Sequence, residues 1–168
     1  CCIVFLAEGS MLDWGAVFLT TVRGVAPEQA GLSYAVFAIT MTIGRLTGDR
    51  IVHALGPKPV VILGGTCAGI GFAALTVVPA WQGAILGYAL VGAGCSNIVP
   101  VLFTAVGRQT DMPEHLAVPA ITTLGYAGIL AGPSLIGFVA HATSLPVAFA
   151  GLGLALFAVA IGGRFLRV

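Results

Sequence analysis

Charge is what this sequence has least of. Of its 168 residues, 7 are Lys or Arg and 6 are Asp or Glu, together 8 % of the chain, where a soluble domain carries about 25 %. A soluble fold of this size would have almost nothing with which to cover its surface. The formal net charge is only +1, so no bulk field draws nucleic acid or an acidic partner. Paired cysteines are missing too. Cys1 and Cys2 are adjacent, Cys67 and Cys95 each stand alone in apolar runs, and His53, His115 and His141 are scattered. That pattern gives neither a disulfide framework nor a zinc site, and the thiols read as buried, inert side chains. No metal and no cofactor is expected. Strict alternation of apolar and polar residues is absent as well, which argues against a β-barrel.

What is present is apolar surface. Hydrophobic residues make up 58 % of the chain, mean hydropathy is +1.07, and there are 24 glycines. Lipid tolerates such a surface, and small residues let membrane helices approach one another closely. A spanning helix needs about 20 apolar residues, at roughly 1.5 Å each, to cross about 30 Å of hydrocarbon. Six runs meet this: 2–22, 31–48, 59–78, 83–106, 116–140 and 145–163. The expected fold is all-α, an integral membrane domain of six transmembrane helices, and the lipid bilayer is its first partner.

The connections are short and rich in turn residues. Val25, Ala26, Pro27 and Glu28 separate the first two runs, and Leu55-Gly56-Pro57-Lys58-Pro59 the second and third. Pro79 to Gly83 follows the third, and the stretch 108–115, with Thr110 and Asp111, follows the fourth. Six spans put both ends on one side. That side receives Arg45, Arg50, Lys58, Arg108, Arg164 and Arg167, and the other only Arg23. The positive-inside rule then places both ends in the cytoplasm of a cell (inner) membrane protein. Trp81, at an outer boundary, fits an interfacial anchor. The chain begins with Cys1 inside an apolar run, so it reads as a fragment of a longer protein. No basic segment precedes that run, which argues against a signal peptide.

After the second run come Gly44-Arg45-Leu46-Thr47-Gly48-Asp49-Arg50 and then Gly56-Pro57-Lys58. This resembles the loop signature of the major facilitator superfamily, with the family's second basic pair reduced to His53 and Lys58. Three further stretches agree. Ala7-Glu8-Gly9-Ser10-Met11-Leu12-Asp13-Trp14, Gly92-Ala93-Gly94-Cys95-Ser96-Asn97-Ile98-Val99-Pro100 and Gly125-Tyr126 through Gly132-Pro133 to Gly137 resemble spans seven, ten and eleven of the fucose-permease-like branch. The resemblance implies the C-terminal half of a twelve-helix transporter whose missing six-helix half is a partner. It also implies a small-molecule substrate, sugar-like or otherwise polar in the sense of that branch, moved by rocking one half against the other.

Glu8 and Asp13 are the first candidates for mechanism, since a carboxylate inside a span is costly and faces a cavity or a partner. Five residues apart, they lie about 140° apart around the helix and do not form one site. Proton coupling or substrate hydrogen bonding stands against a plain polar contact near a helix end. Asn97, the only asparagine, has an amide suited to a hydroxylated substrate or to an interhelical hydrogen bond. Thr122 and Tyr126 share a helix face and either line a cavity or serve packing and backbone bonding. Arg45, Asp49, Arg50 and Arg108 form a second group. The resemblance implies a charge network at a cytoplasmic gate, with the loop aspartate at a neighbouring helix N-terminus; against it stands a solvated loop. Pro133 marks a helix bend. Gly65 and Gly69, Gly83 and Gly87, and Gly128 and Gly132 form small-xxx-small faces for close packing.

The glycines at 64–71 lack the spacing and context of a dinucleotide-binding turn. Gly31-Leu32-Ser33-Tyr34 leaves an intramembrane serine protease as an enzyme alternative, which requires a histidine at Ser33. Drug or metabolite efflux by the same fold competes with solute uptake, and a purely structural membrane protein competes with both. The expected function is secondary transport, symport with protons included, and not enzymatic.

Overall fold

The computed structural model describes residues 1–109 and 112–166. Thr110 and Asp111 of the fourth connection, and Arg167 among the counted basic residues, lie outside these. Within them the chain is helical: α1 (Cys2–Thr21), α2 (Leu32–Leu46), α3 (Gly48–Leu55), α4 (Pro57–Val77), α5 (Trp81–Cys95), α6 (Ile98–Arg108), α7 (Glu114–Ala142) and α8 (Leu145–Gly162). Short 3-10 turns lie at Pro27–Gln29 and Gly163–Phe165. Among the described residues five stretches are long and apolar enough to cross a membrane: α1, α4, α5 with α6, most of α7, and α8 with its final turn. α2 has 15 residues. At its helical rise it covers about 22 Å, short of the hydrocarbon thickness.

Two expectations need correction. The run 83–106 is not one helix. It breaks between Cys95 and Ile98, giving α5 and α6, because Pro100 brings no N–H to the Ser96 carbonyl four residues back and its ring crowds that carbonyl. The connection after α2 is not a loop either. Gly48–Leu55 forms α3, with Ile51 and Val52 half-buried and Asp49, Arg50 and His53 exposed. Gly56 ends it at φ +84°, a conformation that glycine adopts without steric cost. Pro57 then occupies the first turn of α4, where a missing N–H costs nothing.

α4 is the axis of the packing, with α5 and α8 laid along it; α2 packs on α5, and α1 on α7. Glycine sets these distances. A Cβ added to Gly71 would lie 2.8 Å from the Gly87 carbonyl oxygen, and one on Gly87 2.8 Å from that of Gly71. Gly65 would meet the Leu156 carbonyl at 2.9 Å, Gly69 the Phe157 ring at 2.9 Å, and Gly128 would overlap the Cys2 carbonyl. Without a hydrophobic drive between helices in lipid, this close van der Waals contact holds them together.

The end opposite Arg45 is stitched by specific contacts. Tyr88, fully buried, donates to the Gly15 carbonyl at 2.8 Å. Phe18 stacks on Phe149 at 4.8 Å, and Phe149 meets Phe72 edge-on at 5.5 Å. Arg23 lies 5.3 Å above the Phe18 ring and donates to the Leu75 and Thr76 carbonyls. Those carbonyls end α4, where no intrahelical donor remains and a cation is favoured. The only basic residue expected on that side is therefore a clamp between α1 and α4.

Candidate functional site

The break in the fourth span is polar and buried. Ser96 is inaccessible and Asn97 is 8 % exposed. Asn97 occupies the N-cap position of α6 but makes no capping hydrogen bond there. Its Nδ2 donates instead to the Gly44 carbonyl on α2 at 3.0 Å and to Ser96 Oγ at 3.0 Å. Ser96 Oγ in turn donates to the Ala93 carbonyl at 2.7 Å. Gly44 lies in the last turn of α2, where carbonyls lack helical partners. A side chain would not fit at this crossing: a methyl on Gly44 would overlap Ser96 Oγ, and one on Gly48 would overlap Asn97 Oδ1.

Beside this joint is a cleft of ≈ 190 Å³ whose lining includes Arg45, Gly48, Asp49, Asn97, Thr104 and Arg108. Three of the four expected gate residues thus meet. Arg50, exposed on α3, does not line the cleft. Asp49 sits in the first turn of α3, where the helix dipole favours a carboxylate. Among the described residues its carboxylate comes within salt-bridge distance of no cation. Arg45 has a different partner, Glu8. Arg45 Nη2 stands 3.4 Å from both Glu8 carboxylate oxygens, with side-chain exposures of 46 % for Arg45 and 14 % for Glu8. The pair joins a coupling candidate to a gate candidate, two groups that the sequence alone keeps apart.

The other candidates lie elsewhere. Asp13 is exposed on a strip of α1 with Leu12 and Val17. One edge of that strip is set by Gly15, which packs against Ser33 of α2, and the other by Trp14, whose Nε1 donates to the Pro133 carbonyl of α7 at 3.2 Å. The strip therefore lies between α2 and α7. Tyr126 is exposed on α7 and stacks on Phe5 of α1 at 6.1 Å. Thr122 donates to the Val118 carbonyl of its own helix at 2.7 Å, so its hydroxyl serves backbone bonding. Asn97 makes an interhelical hydrogen bond, as described. Ser33 is fully buried and donates to the Ala30 carbonyl at 2.8 Å. Among the described residues no histidine bonds to it.

Sequence reasoning misses Ser96 and the Gly44–Gly48 seat. Two glycines four apart, ahead of Arg45 and Asp49, are the available signal.

A broken helix with buried Ser96 and Asn97 and a cleft with charge, set in a bundle of apolar helices, define a polytopic membrane protein. The chain belongs to the Major Facilitator Superfamily, which it matches over residues 2–168. It is 58 % identical over 164 residues to an uncharacterized MFS-type transporter of Yersinia pestis, covering 98 % of this chain and 43 % of that protein. It is 30 % identical over 161 residues to the membrane protein MosC of Rhizobium meliloti, covering 95 % of this chain and 38 % of that one. An uncharacterized transporter of Sinorhizobium fredii is 29 % identical over 162 residues, covering 96 % and 43 %. The chain thus spans less than half the length of these curated relatives.

Proposed function

We propose that this chain is the C-terminal six-helix half of a secondary transporter that moves a small polar solute by alternating access, with its basic end in the cytoplasm. α2 serves as the sixth span despite its length, its basic end extended by α3. The remaining six helices close the open face of α1, α2 and α7. The observation that carries the reading is Asp13, an exposed carboxylate on a strip of an apolar helix between two neighbours. A charge there is unfavourable against lipid, so the strip faces a water-filled cavity or another part of the protein. Tyr126 opens beside the same helix. Glu8, paired with Arg45, and Asp13 are the two carboxylates available for proton coupling, and the cleft of Arg45, Asp49 and Arg108 is the cytoplasmic gate.

Substrate class follows from the same face. The likeness to the fucose-permease-like branch supports a hydroxylated, sugar-like solute. A second reading, efflux of amphipathic compounds, is favoured by the apolar neighbours on the open face: Leu12, Ile39 and Ile43 are 57 %, 59 % and 56 % exposed. The test uses the full-length protein in liposomes loaded with a pH-sensitive dye. Sugars, polyols and lipophilic cations are added singly, and internal pH and solute content are followed. Polyol or sugar entry with acidification, lost in Asp13→Asn, supports the first reading. Movement of lipophilic cations alone replaces it with the second, and solute entry without any pH change removes proton coupling.

A further inference from the structure

We propose that Asn97 is a positioning residue for the charged cleft: its amide fixes the two glycines that carry Arg45 and Asp49. The meaning of this inference rests on the transport reading above; its test rests on local geometry.

Gly44 immediately precedes Arg45 and Gly48 immediately precedes Asp49. Asn97 holds the first by a hydrogen bond to its carbonyl at 3.0 Å. It holds the second by shape, since its Oδ1 occupies the space a Cβ on Gly48 would need. The remaining amide hydrogen goes to Ser96 Oγ at 3.0 Å, and Ser96 donates to Ala93 at 2.7 Å. A continuous chain of hydrogen bonds therefore runs from α5 through the break to α2. Both amide hydrogens are spent on protein partners, so Asn97 has none left for a solute while the joint is made. Its contribution is placement.

α3 also packs through half-buried Ile51 and Val52, but its start is open on two sides. It has the ≈ 190 Å³ cleft on one side, and on the other a second cleft of ≈ 230 Å³, lined among others by Ile51, Leu55, Cys67 and Ala93. Asn97 borders both clefts. Pro100 leaves the Ser96 carbonyl without its helical donor, whereas the Asn97 carbonyl already accepts from Val101 at 3.2 Å within α6, so the helix is interrupted just before Asn97 and α6 can swing there. α6 carries Thr104 and Arg108 along one wall of the first cleft. Asn97, at its start, is joined to the glycines that bring Arg45 and Asp49 to the other wall. A swing of α6 thus moves both walls as one joint, and the amide is the pin. An aspartate there would keep the shape and lose the donors; an alanine would lose both.

The experiment is a double-mutant cycle in the full-length protein, reconstituted in liposomes with its native thiols replaced and a single reporter, Thr104→Cys. The labelling rate by a membrane-impermeant maleimide is read beside the melting temperature. Gly48→Ala is made in the parent and in Asn97→Ala. We expect Gly48→Ala to change labelling about tenfold in the parent and less than about twofold in Asn97→Ala, the coupling expected of residues in direct contact. Melting temperatures should separate the two Asn97→Ala proteins far less than their labelling separates from the parent. Equal effects of Gly48→Ala in both backgrounds overturn the proposal. If Gly48→Ala fails to insert, Asn97→Asp and Asn97→Ala are read alone: labelling changed about tenfold in both supports the joint, and parent-like labelling in both overturns it. A protein that moves no solute yet shows the coupling removes the transport reading and leaves the placement. A transporting protein with additive labelling does the reverse.

Discussion

Glu8 on α1 and Arg45 on α2 meet at 3.4 Å, so the acidic residue of the first helix and the first cation of the glycine-arginine motif form one ion pair. The separation is long for a charge-assisted hydrogen bond, and Arg45 is 46 % exposed. Exposed pairs contribute about 0–1 kcal/mol to stability, and Glu8, only 14 % exposed, puts this one at the upper end of that range. The pair is therefore weak enough to break and remake within a working cycle.

Glu8→Gln tests that role. The substitution removes the charge and keeps the shape, so the melting temperature of the full-length protein should fall by no more than a few degrees, in keeping with about 1 kcal/mol or less. Uptake should lose most of its dependence on external pH if Glu8 carries the coupled proton. The charge-swapped pair, Glu8→Arg with Arg45→Glu, should recover the melting temperature but not the pH dependence. Uptake in Glu8→Gln with the parent's pH profile would move the coupling role to Asp13 or to the other half.

Asp49→Asn addresses the cleft. Asp49 is exposed in the first turn of α3 and shares the cleft with Arg45 and Arg108, so removing its charge leaves the fold intact but unbalances the two cations. Membrane insertion and melting should be unchanged within about 0.5 kcal/mol, as for other surface substitutions. Initial uptake rates should fall by about tenfold or more, a loss of roughly 1.4 kcal/mol in the rate-limiting step. Unchanged uptake in correctly inserted protein would mean that Asp49 is only a solvated charge at the start of α3.

The glycine contacts give a prediction that is independent of transport. Gly87→Val pushes against the Gly71 carbonyl and the Leu75 side chain, both within about 3 Å of a Cβ at that position. It should destabilise the protein by about 1–3 kcal/mol through overpacking, read as a lowered melting temperature in detergent. Gly151→Ala is the control. Nothing lies within 4 Å of a Cβ there, and alanine is the better helix former by about 1 kcal/mol, so stability should hold or rise. Equal losses in both variants would mean that these glycines serve helix flexibility rather than contact.

How much of this was legible in the sequence depends on the range of the interaction. α4 and α8 were legible because their apolar runs are about as long as the hydrocarbon is thick and their ends carry Pro, Gly and Ser. The small-residue faces at Gly65–Gly69 and Gly128–Gly132 were legible for the same local reason: spacing of four puts them on one side of a helix. α3 was not, because eight residues hold barely two turns, too few for a period to stand out. The break at Ser96–Asn97 hides from hydropathy because Pro100 removes one N–H from an otherwise apolar run. Glu8 and Arg45 are 37 positions apart, and no local pattern relates them; only packing of α1 on α2 does. Asn97 stands out in the sequence as the only asparagine, but the direction of its amide, toward the Gly44 carbonyl on α2, is fixed by another helix and has no local signal.

Pro133 connects packing to motion. α7 runs from Glu114 to Ala142 through Pro119 and Pro133 without interruption, yet Pro133 supplies no N–H to the Ile129 carbonyl. That carbonyl faces Gly9 of α1, where a Cβ would lie 3.8 Å from it, and one turn on the Pro133 carbonyl accepts from Trp14 Nε1 at 3.2 Å. Gly9 thus packs against the freed carbonyl, while the Trp14 bond one turn on holds α1 and α7 together at this level. Pro133→Ala restores the helical bond without removing the Trp14 contact, so the melting temperature should rise, by an amount equivalent to about 1–3 kcal/mol. A stiffer α7 should also slow turnover if this helix bends as the two halves rock. Higher stability with lower turnover assigns Pro133 a hinge role. Higher stability with unchanged turnover assigns it to packing alone and shifts the bending to the break at Asn97.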